Sequence, residues 1–89
     1  MKLEFKVKVK NTLGLHTRPA AAIVKMLQSS KSNVQFVCKG ETINARSIMS
    51  ILMLAAKKNM QLTVLIEGAD AENTKEHLLR GFDTSFGEG

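Results

Sequence analysis

Three residues lie close together in the sequence, namely His16, Arg18 and Pro19. Their types and their spacing could support a chemical reaction. The apolar residues after them recur at the spacing of an amphipathic helix, and they are Ala20, Ile23, Val24 and Leu27. Because proline is tolerated in the first turn of a helix and not further in, the pattern predicts a helix that begins just after His16. The start of a helix exposes unpaired N–H groups, and Arg18 adds a guanidinium, so this segment is suited to bind a phosphate.

The chemistry open to His16 depends on its charge. The positive end of a helix disfavours imidazolium, so we expect His16 to remain neutral and nucleophilic near pH 7. A neutral imidazole beside a phosphate cradle at Thr17 and Arg18 can accept a phosphoryl group and stabilise it. The alternative is that His16 is a capping or surface histidine without chemistry. The local spacing leaves both interpretations open.

The composition limits where such chemistry takes place. The 89 residues are 44% apolar and 4% aromatic, which suffices for one small core, so we expect a single domain over residues 1–89 with its chemistry at the surface. A lone cysteine, Cys38, cannot form an internal disulfide, which favours a reducing cytoplasm. No apolar run is long enough to cross a bilayer, and the N-terminus lacks a signal-peptide pattern. We therefore expect neither membrane insertion nor secretion.

The net charge of +5 favours acidic partners, among them nucleic acids, phosphorylated molecules and acidic protein surfaces. The lysines near the N-terminus are the main support for one alternative function, a small basic module that binds RNA or an acidic protein. The chain has no tyrosine or tryptophan to stack on bases, so nucleic-acid binding is not expected. The lone Cys38, His16 and the distant His77 lack metal-ligand spacing, and neither a metal site nor a cofactor is predicted.

Four segments have the composition of β-strands. The first alternates apolar residues with charged ones, and the last is almost continuously apolar, which predicts a central strand. Gly40 separates the two middle segments and is expected to take a positive φ in a tight hairpin. The four segments are residues 3–9, 34–38, 41–44 and 62–66.

Two further helices are predicted after Ser47 and Asp70, each of which can cap the helix that follows it. Residues 83–89 are expected to form a frayed tail. The order of elements is then strand, helix, strand, strand, helix, strand, helix. It predicts an α/β (α+β) open-faced sandwich, in which three helices cover one face of a four-stranded, mainly antiparallel sheet.

Two of these segments resemble the motifs of a known family. Residues 14–21, GLHTRPAA, resemble the active centre of HPr, the family of histidine-containing phosphocarriers of the bacterial sugar phosphotransferase system. Residues 44–49, NARSIM, resemble the family's regulatory serine motif, and the order of elements agrees over nearly the whole chain. The resemblance implies a cytoplasmic carrier, not an enzyme. By this resemblance, His16 takes a phosphoryl group on Nδ1 from enzyme I and passes it to an enzyme II A domain, while Arg18 steadies the phosphate.

The resemblance also implies how the chain meets its partners as a monomer. Ile48, Met49 and Leu52 correspond to the apolar patch on which the family's partners dock, and we call these three residues the docking patch. Ser47 corresponds to the serine that HPr kinase/phosphorylase phosphorylates in organisms that possess this enzyme. A phosphate there adds about two negative charges, which lowers complementarity to an acidic enzyme I.

This chain departs from the family pattern close to the active centre. Family members usually carry a small polar residue three positions before the histidine, where this chain has Leu13, so a supporting hydrogen bond is either missing or supplied by Thr12.

The alternative function within the same fold is a mainly regulatory relay, of the nitrogen type or uncoupled from transport. The sequence leaves open which acceptor is served.

Overall fold

The order of elements is the predicted one in the computed structural model of the chain, which describes residues 1–88. A short 3₁₀ turn at Ser85–Gly87 follows the last helix. The elements are β1 (Lys2–Lys8), α1 (Thr17–Leu27), β2 (Asn33–Cys38), β3 (Glu41–Asn44), α2 (Ile48–Leu54), β4 (Gln61–Glu67) and α3 (Ala71–Asp83). Within the described part of the chain, no helix has both the length and the apolar character that crossing a membrane requires.

The four strands form one sheet in the order β1-β4-β2-β3, and every neighbouring pair is antiparallel. The prediction that β4 is a central strand is confirmed. Phe5, Val64 and Phe36 lie opposite one another across three strands, on the face that the three helices cover. Val64 and Phe36 are fully buried there. The other face carries the charged residues of β1, which explains the alternation in the sequence.

One residue fixes the C-terminal end of α1, and another allows the turn of the β2–β3 hairpin. The guanidinium of Arg46 donates to the carbonyl oxygens of Leu27, Ser30 and Ser32 at 2.6 to 2.7 Å, which satisfies acceptors at and beyond the C-terminus of α1. Gly40 has a φ of 80°, as the hairpin prediction required. Arg46 therefore holds in place the helix whose other end carries His16.

Asp70 precedes α3 as predicted, but its side chain forms no cap on this helix, so that expectation is wrong. Its carboxylate accepts hydrogen bonds from the Ser32 hydroxyl, from the Lys31 N–H at 2.8 Å and from the Ser30 hydroxyl at 3.4 Å. These bonds, first of all the one from Ser32, lower the pKa of Asp70. The loop between α1 and β2 supplies these donors, so Asp70 joins that loop to the start of α3.

The chain after α3 folds back on the helix. The Phe86 ring meets the Phe82 ring edge to face, and a Cβ on Gly81 would overlap the Phe86 ring, so glycine leaves room for this contact. Fraying of residues 83–89 stays a prediction, and Gly89 lies outside the described residues. The described part of this tail runs toward the start of α1.

Candidate functional site

The loop between β1 and α1 is held in place before it reaches His16. Gly14 has a φ of 70°, and a Cβ at this position would overlap the Ala56 carbonyl oxygen, so both the conformation and the close approach require glycine. The next residue, Leu15, is buried and donates its N–H to the same carbonyl at 2.9 Å. The loop is therefore fixed against the residues that follow α2, and His16 comes next.

His16 immediately precedes α1, which begins at Thr17 as predicted. The backbone of His16 is extended, its carbonyl accepts the Ala20 N–H at 3.0 Å, and its side chain makes no capping hydrogen bond. The interpretation of His16 as a helix-capping side chain is therefore wrong. The ring is 32% exposed, so it is reachable from solvent but is not a free surface side chain.

One ring nitrogen of His16 is engaged by a residue that the sequence analysis did not single out. Nε2 lies 2.8 and 3.0 Å from the two carboxylate oxygens of Glu88, whose side chain is 18% exposed. Within residues 1–88, Nδ1 has no hydrogen-bond partner. The sequence analysis left open whether Thr12 supplies a bond in place of a polar residue at position 13; within residues 1–88, the hydrogen-bond partner of the ring is Glu88 at the other end of the chain.

Asn11 holds Glu88 in this position. It is fully buried, and its Nδ2 donates to Glu88 Oε1 at 2.7 Å and to the Ser85 carbonyl at 2.9 Å. Both donor hydrogens face acceptors, so the amide cannot be flipped without setting oxygen against oxygen. The bond from Asn11 is the largest influence on Glu88 and lowers its pKa, while burial raises it and the interactions with His16 and Arg18 lower it less. Glu88 is therefore a carboxylate at neutral pH.

The start of α1 has few free backbone donors. Ala20 donates to His16, and Pro19 has no N–H, so the free amides of the first turn are those of Thr17 and Arg18. No acidic side chain lies in this turn, and the Arg18 side chain is exposed. Two backbone amides, the positive end of the helix and one exposed guanidinium thus lie beside His16, as an anion site requires.

A shallow depression brings His16 together with one member of the docking patch. Leu52 lines it from α2, and Leu13, which is 75% exposed, lines it from the β1–α1 loop. Met49 is 63% exposed on α2, and Ile48 is half-buried. Leu13 was noted in the sequence as a departure, and here it adds an apolar contact beside the imidazole.

Ser47 caps α2, as the sequence predicted. Its Oγ accepts the Ser50 N–H at 3.2 Å, and its side chain is half-buried. The site thus combines a loop histidine, a helix start with free backbone amides and exposed apolar side chains next to them. Within residues 1–88, no three His, Cys, Asp or Glu side chains are grouped as a metal ion would require. Cys38 is buried, and His77 is exposed on α3.

Comparison with known proteins identifies this arrangement. The family model of the PTS HPr component phosphorylation site matches residues 3–83. The chain belongs to the HPr family. The phosphocarrier protein HPr of Chlamydia muridarum is 42% identical over 80 residues, which cover 90% of this chain and 77% of that protein. HPr of Xylella fastidiosa strain Temecula1 is 36% identical over 86 residues, or 97% of each chain.

The structural comparison agrees with the sequence comparison. The crystal structure of HPr from Thermoanaerobacter tengcongensis superposes with a TM-score of 0.93 and 31% identity, and the match covers 98% of both chains. The resemblance to HPr and the open-faced sandwich are therefore confirmed. The residues that match the family model include His16, Arg18 and Ser47 but end before Glu88.

The sequence analysis missed Asn11 and Glu88. Asn11 was taken only as a turn-forming residue, and Glu88 lies in a glycine-containing tail that suggested fraying. One signal was available, since Phe82 and Phe86 both lie near the end of the chain and large apolar side chains tend to be buried. That pair indicates a chain end that packs, though it does not indicate where Glu88 points.

Proposed function

We propose that this HPr-family chain is a cytoplasmic phosphocarrier that takes a phosphoryl group on His16 Nδ1 from phosphorylated enzyme I and gives it to an enzyme II A domain. One observation carries the proposal: the partly exposed imidazole stands at a helix start with free N–H groups, and its Nε2 is engaged while its Nδ1 has no partner within residues 1–88. The carrier turns over no small molecule. It is consumed and regenerated once per transfer.

The transfer is a displacement at phosphorus. The Nδ1 lone pair attacks, a new P–N bond forms, and the bond to the donor's nitrogen breaks with its electron pair returning to the donor. In this proposal, the phosphoryl oxygens are held by the backbone amides of Thr17 and Arg18 and by the Arg18 guanidinium; the support is the position of these groups in the first turn of α1. Donor and acceptor dock in turn on the docking patch, with Leu13 as an added contact.

The test is phosphorylation by enzyme I and phosphoenolpyruvate, followed by the intact mass of the protein. We expect one phosphoryl group per chain, lost in His16→Ala and kept in His77→Ala, the matched control at an exposed histidine on α3. An unmodified mass, or undiminished labelling of His16→Ala, contradicts the proposal. Transfer from the labelled protein to a sugar-specific or a regulatory A domain distinguishes sugar transport from the regulatory relay.

Docking has its own test. Met49→Asp places a charge in an exposed apolar side chain of the docking patch, and we expect it to weaken enzyme I binding at least tenfold. Leu79→Asp, at a leucine of α3 that is 39% exposed, is the control for adding a charge to the surface. Equal loss in both variants would show that net charge, not this surface, governs docking.

Regulation through Ser47 is a separate part of the proposal. Its supports are the family's serine motif at residues 44–49 and the position of Ser47 next to Ile48 and Met49. We expect a cognate HPr kinase to label the chain with ATP and to leave Ser47→Ala unlabelled. Labelling that persists in Ser47→Ala excludes this site.

The rival function, a small basic module that binds RNA, would instead be supported by a salt-dependent gel shift with RNA at micromolar protein.

A further inference from the structure

The contact between the two ends of the chain assigns a role to Glu88. We propose that Glu88, held by Asn11, is a positioning residue that keeps a proton on His16 Nε2 and so makes Nδ1 the phosphoryl-accepting nitrogen in a labile, transferable bond. This inference rests on the proposed phosphocarrier function and adds a residue outside the part of the chain that matches the family model.

The first step concerns the neutral ring. A neutral imidazole has one N–H, which either nitrogen can carry. Both Glu88 oxygens lie within 3.0 Å of Nε2, and an ionised carboxylate accepts hydrogen bonds but donates none. The proton therefore resides on Nε2, and the Nδ1 lone pair is left free for attack. A catalytic triad uses the same principle with the two nitrogens exchanged, because there the carboxylate accepts the Nδ1 proton and Nε2 is left free.

The second step concerns the charge that appears during transfer. When Nδ1 bonds to phosphorus while Nε2 keeps its proton, the ring becomes a phosphoimidazolium with a positive charge. Glu88 faces this charge directly from the tail, whereas Arg18 on α1 and Lys57 after α2 are the cations near the ring. The carboxylate offsets their repulsion and stabilises the cation. No proton has to arrive or leave in either transfer.

The third step concerns the outgoing transfer. If Nε2 stays protonated, the departing group is a neutral imidazole, a far better leaving group than an imidazolate. The phosphoryl group leaves with its new P–N bond on the acceptor, and the electron pair of the broken bond returns to Nδ1. Glu88 thus keeps the phosphorylated ring in its reactive form, at the cost of a shorter lifetime in water.

The fourth step is that this carboxylate is held in place by the fold. Asn11 is fully buried and donates one N–H to Glu88 and the other to the Ser85 carbonyl, while Phe86 packs on Phe82. Three contacts thus fix the tail that carries Glu88. A buried amide with both hydrogens directed at the tail has no comparable task if the tail is a disordered end.

The first measurement needs no phosphoryl transfer. Two-bond ¹H–¹⁵N correlations of the imidazole at pH 8 distinguish a protonated from an unprotonated ring nitrogen. We expect His16 to carry its proton on Nε2 in the wild type and to become a mixture of both tautomers in Glu88→Ala. Glu76→Ala, at an exposed glutamate of α3, is the matched control and should leave His16 unchanged. A wild-type ring with the proton on Nδ1, or an unchanged ratio in Glu88→Ala, overturns the proposal.

The second measurement is the half-life of the phosphorylated proteins at pH 8. Loss of the carboxylate deprotonates the phosphorylated ring, so we expect a half-life about five- to tenfold longer in Glu88→Ala. Glu88→Asp should restore part of the wild-type behaviour, which a merely structural role of the tail would not predict. Equal half-lives overturn the claimed effect on the P–N bond. A tautomer that depends on Glu88 in a protein that enzyme I never labels supports the positioning role and refutes the phosphocarrier function instead.

Discussion

The ring of Phe86 meets the ring of Phe82 edge to face, with centroids 4.9 Å apart and planes at 73°. Phe82 in turn packs edge to face on Phe36 in the centre of the sheet, at 5.9 Å and 68°. Three aromatic side chains therefore link the core to the end of the chain. Since Glu88 follows Phe86 by two residues, the position of the carboxylate beside His16 depends on packing far from the imidazole.

Removing this anchor should release the tail. Phe86 is half-buried, so we expect Phe86→Ala to lower the free energy of unfolding by about 1–2 kcal/mol, less than for a fully buried phenylalanine. Urea denaturation measures this change, and amide exchange over residues 84–88 should become faster. Phe86→Leu, which keeps much of the volume, should lie between the two. Unchanged exchange in Phe86→Ala would show that the bonds from Asn11 suffice to hold the tail.

Gly81→Ala tests the same anchor without altering Phe86. Alanine favours the helix by about 0.5–1 kcal/mol, but its Cβ overlaps the Phe86 ring, so the helix gains while the tail is displaced. We therefore expect faster amide exchange over residues 84–88 with little change in the urea midpoint. A tail that exchanges as slowly as in the wild type would mean that the ring finds another position on α3.

Arg18 should affect transfer and not folding. Its side chain is exposed, and a guanidinium that binds phosphoryl oxygens contributes about 1.5–3 kcal/mol, so Arg18→Ala should slow phosphorylation by enzyme I about ten- to a hundredfold. Arg18→Lys should recover part of the rate, because lysine keeps the charge but not the two-pronged geometry. Lys6→Ala, on the open face of the sheet, controls for the lost charge. A rate equal to that of Lys6→Ala would remove Arg18 from the site.

The parts of the fold and site that could be predicted from the sequence are those fixed by local patterns. The start of α1 follows from Pro19 and the apolar period, the hairpin from Gly40, and the cap of α2 from Ser47. The Glu88–His16 contact joins residues 72 positions apart, and no periodicity encodes such a pairing. The prediction that Asp70 caps α3 was wrong for a related reason, because hydrogen-bond donors from a distant loop compete with the local cap. Sequence reasoning thus located the imidazole but not the groups that orient it.

Ser47 has a structural role that is separable from its regulation. Its Oγ accepts the Ser50 N–H, and loss of such a cap costs about 1 kcal/mol, so Ser47→Ala should lower the urea midpoint accordingly. Ser47→Asp should keep the cap while weakening enzyme I binding through its charge. Ser50→Ala is the control, since the Ser50 side chain makes no hydrogen bond within residues 1–88. If Ser47→Asp unfolds as easily as Ser47→Ala, its binding defect cannot be assigned to charge.

The bonds around Asp70 predict a specific dependence of stability on pH. The hydrogen bonds from Ser32 and Lys31 lower the pKa of Asp70 in the folded protein, so the unfolded chain takes up a proton first as the pH falls. The stabilisation is therefore complete above the unfolded value of about 4 and is lost as the pH falls through the lower folded value. Urea denaturation from pH 7 to pH 2 should show Asp70→Asn less stable than the wild type at pH 7.

The difference between these two proteins should shrink below about pH 4, because the wild-type carboxyl is then neutral as well. Glu41→Gln, at an exposed hairpin position, should follow the wild-type curve throughout. A difference that stays constant down to pH 2 would mean that Asp70 stabilises the fold through hydrogen bonds that the neutral carboxyl still makes and the asparagine amide cannot, and not through its charge. A difference that grows on acidification contradicts the direction of the pKa change itself.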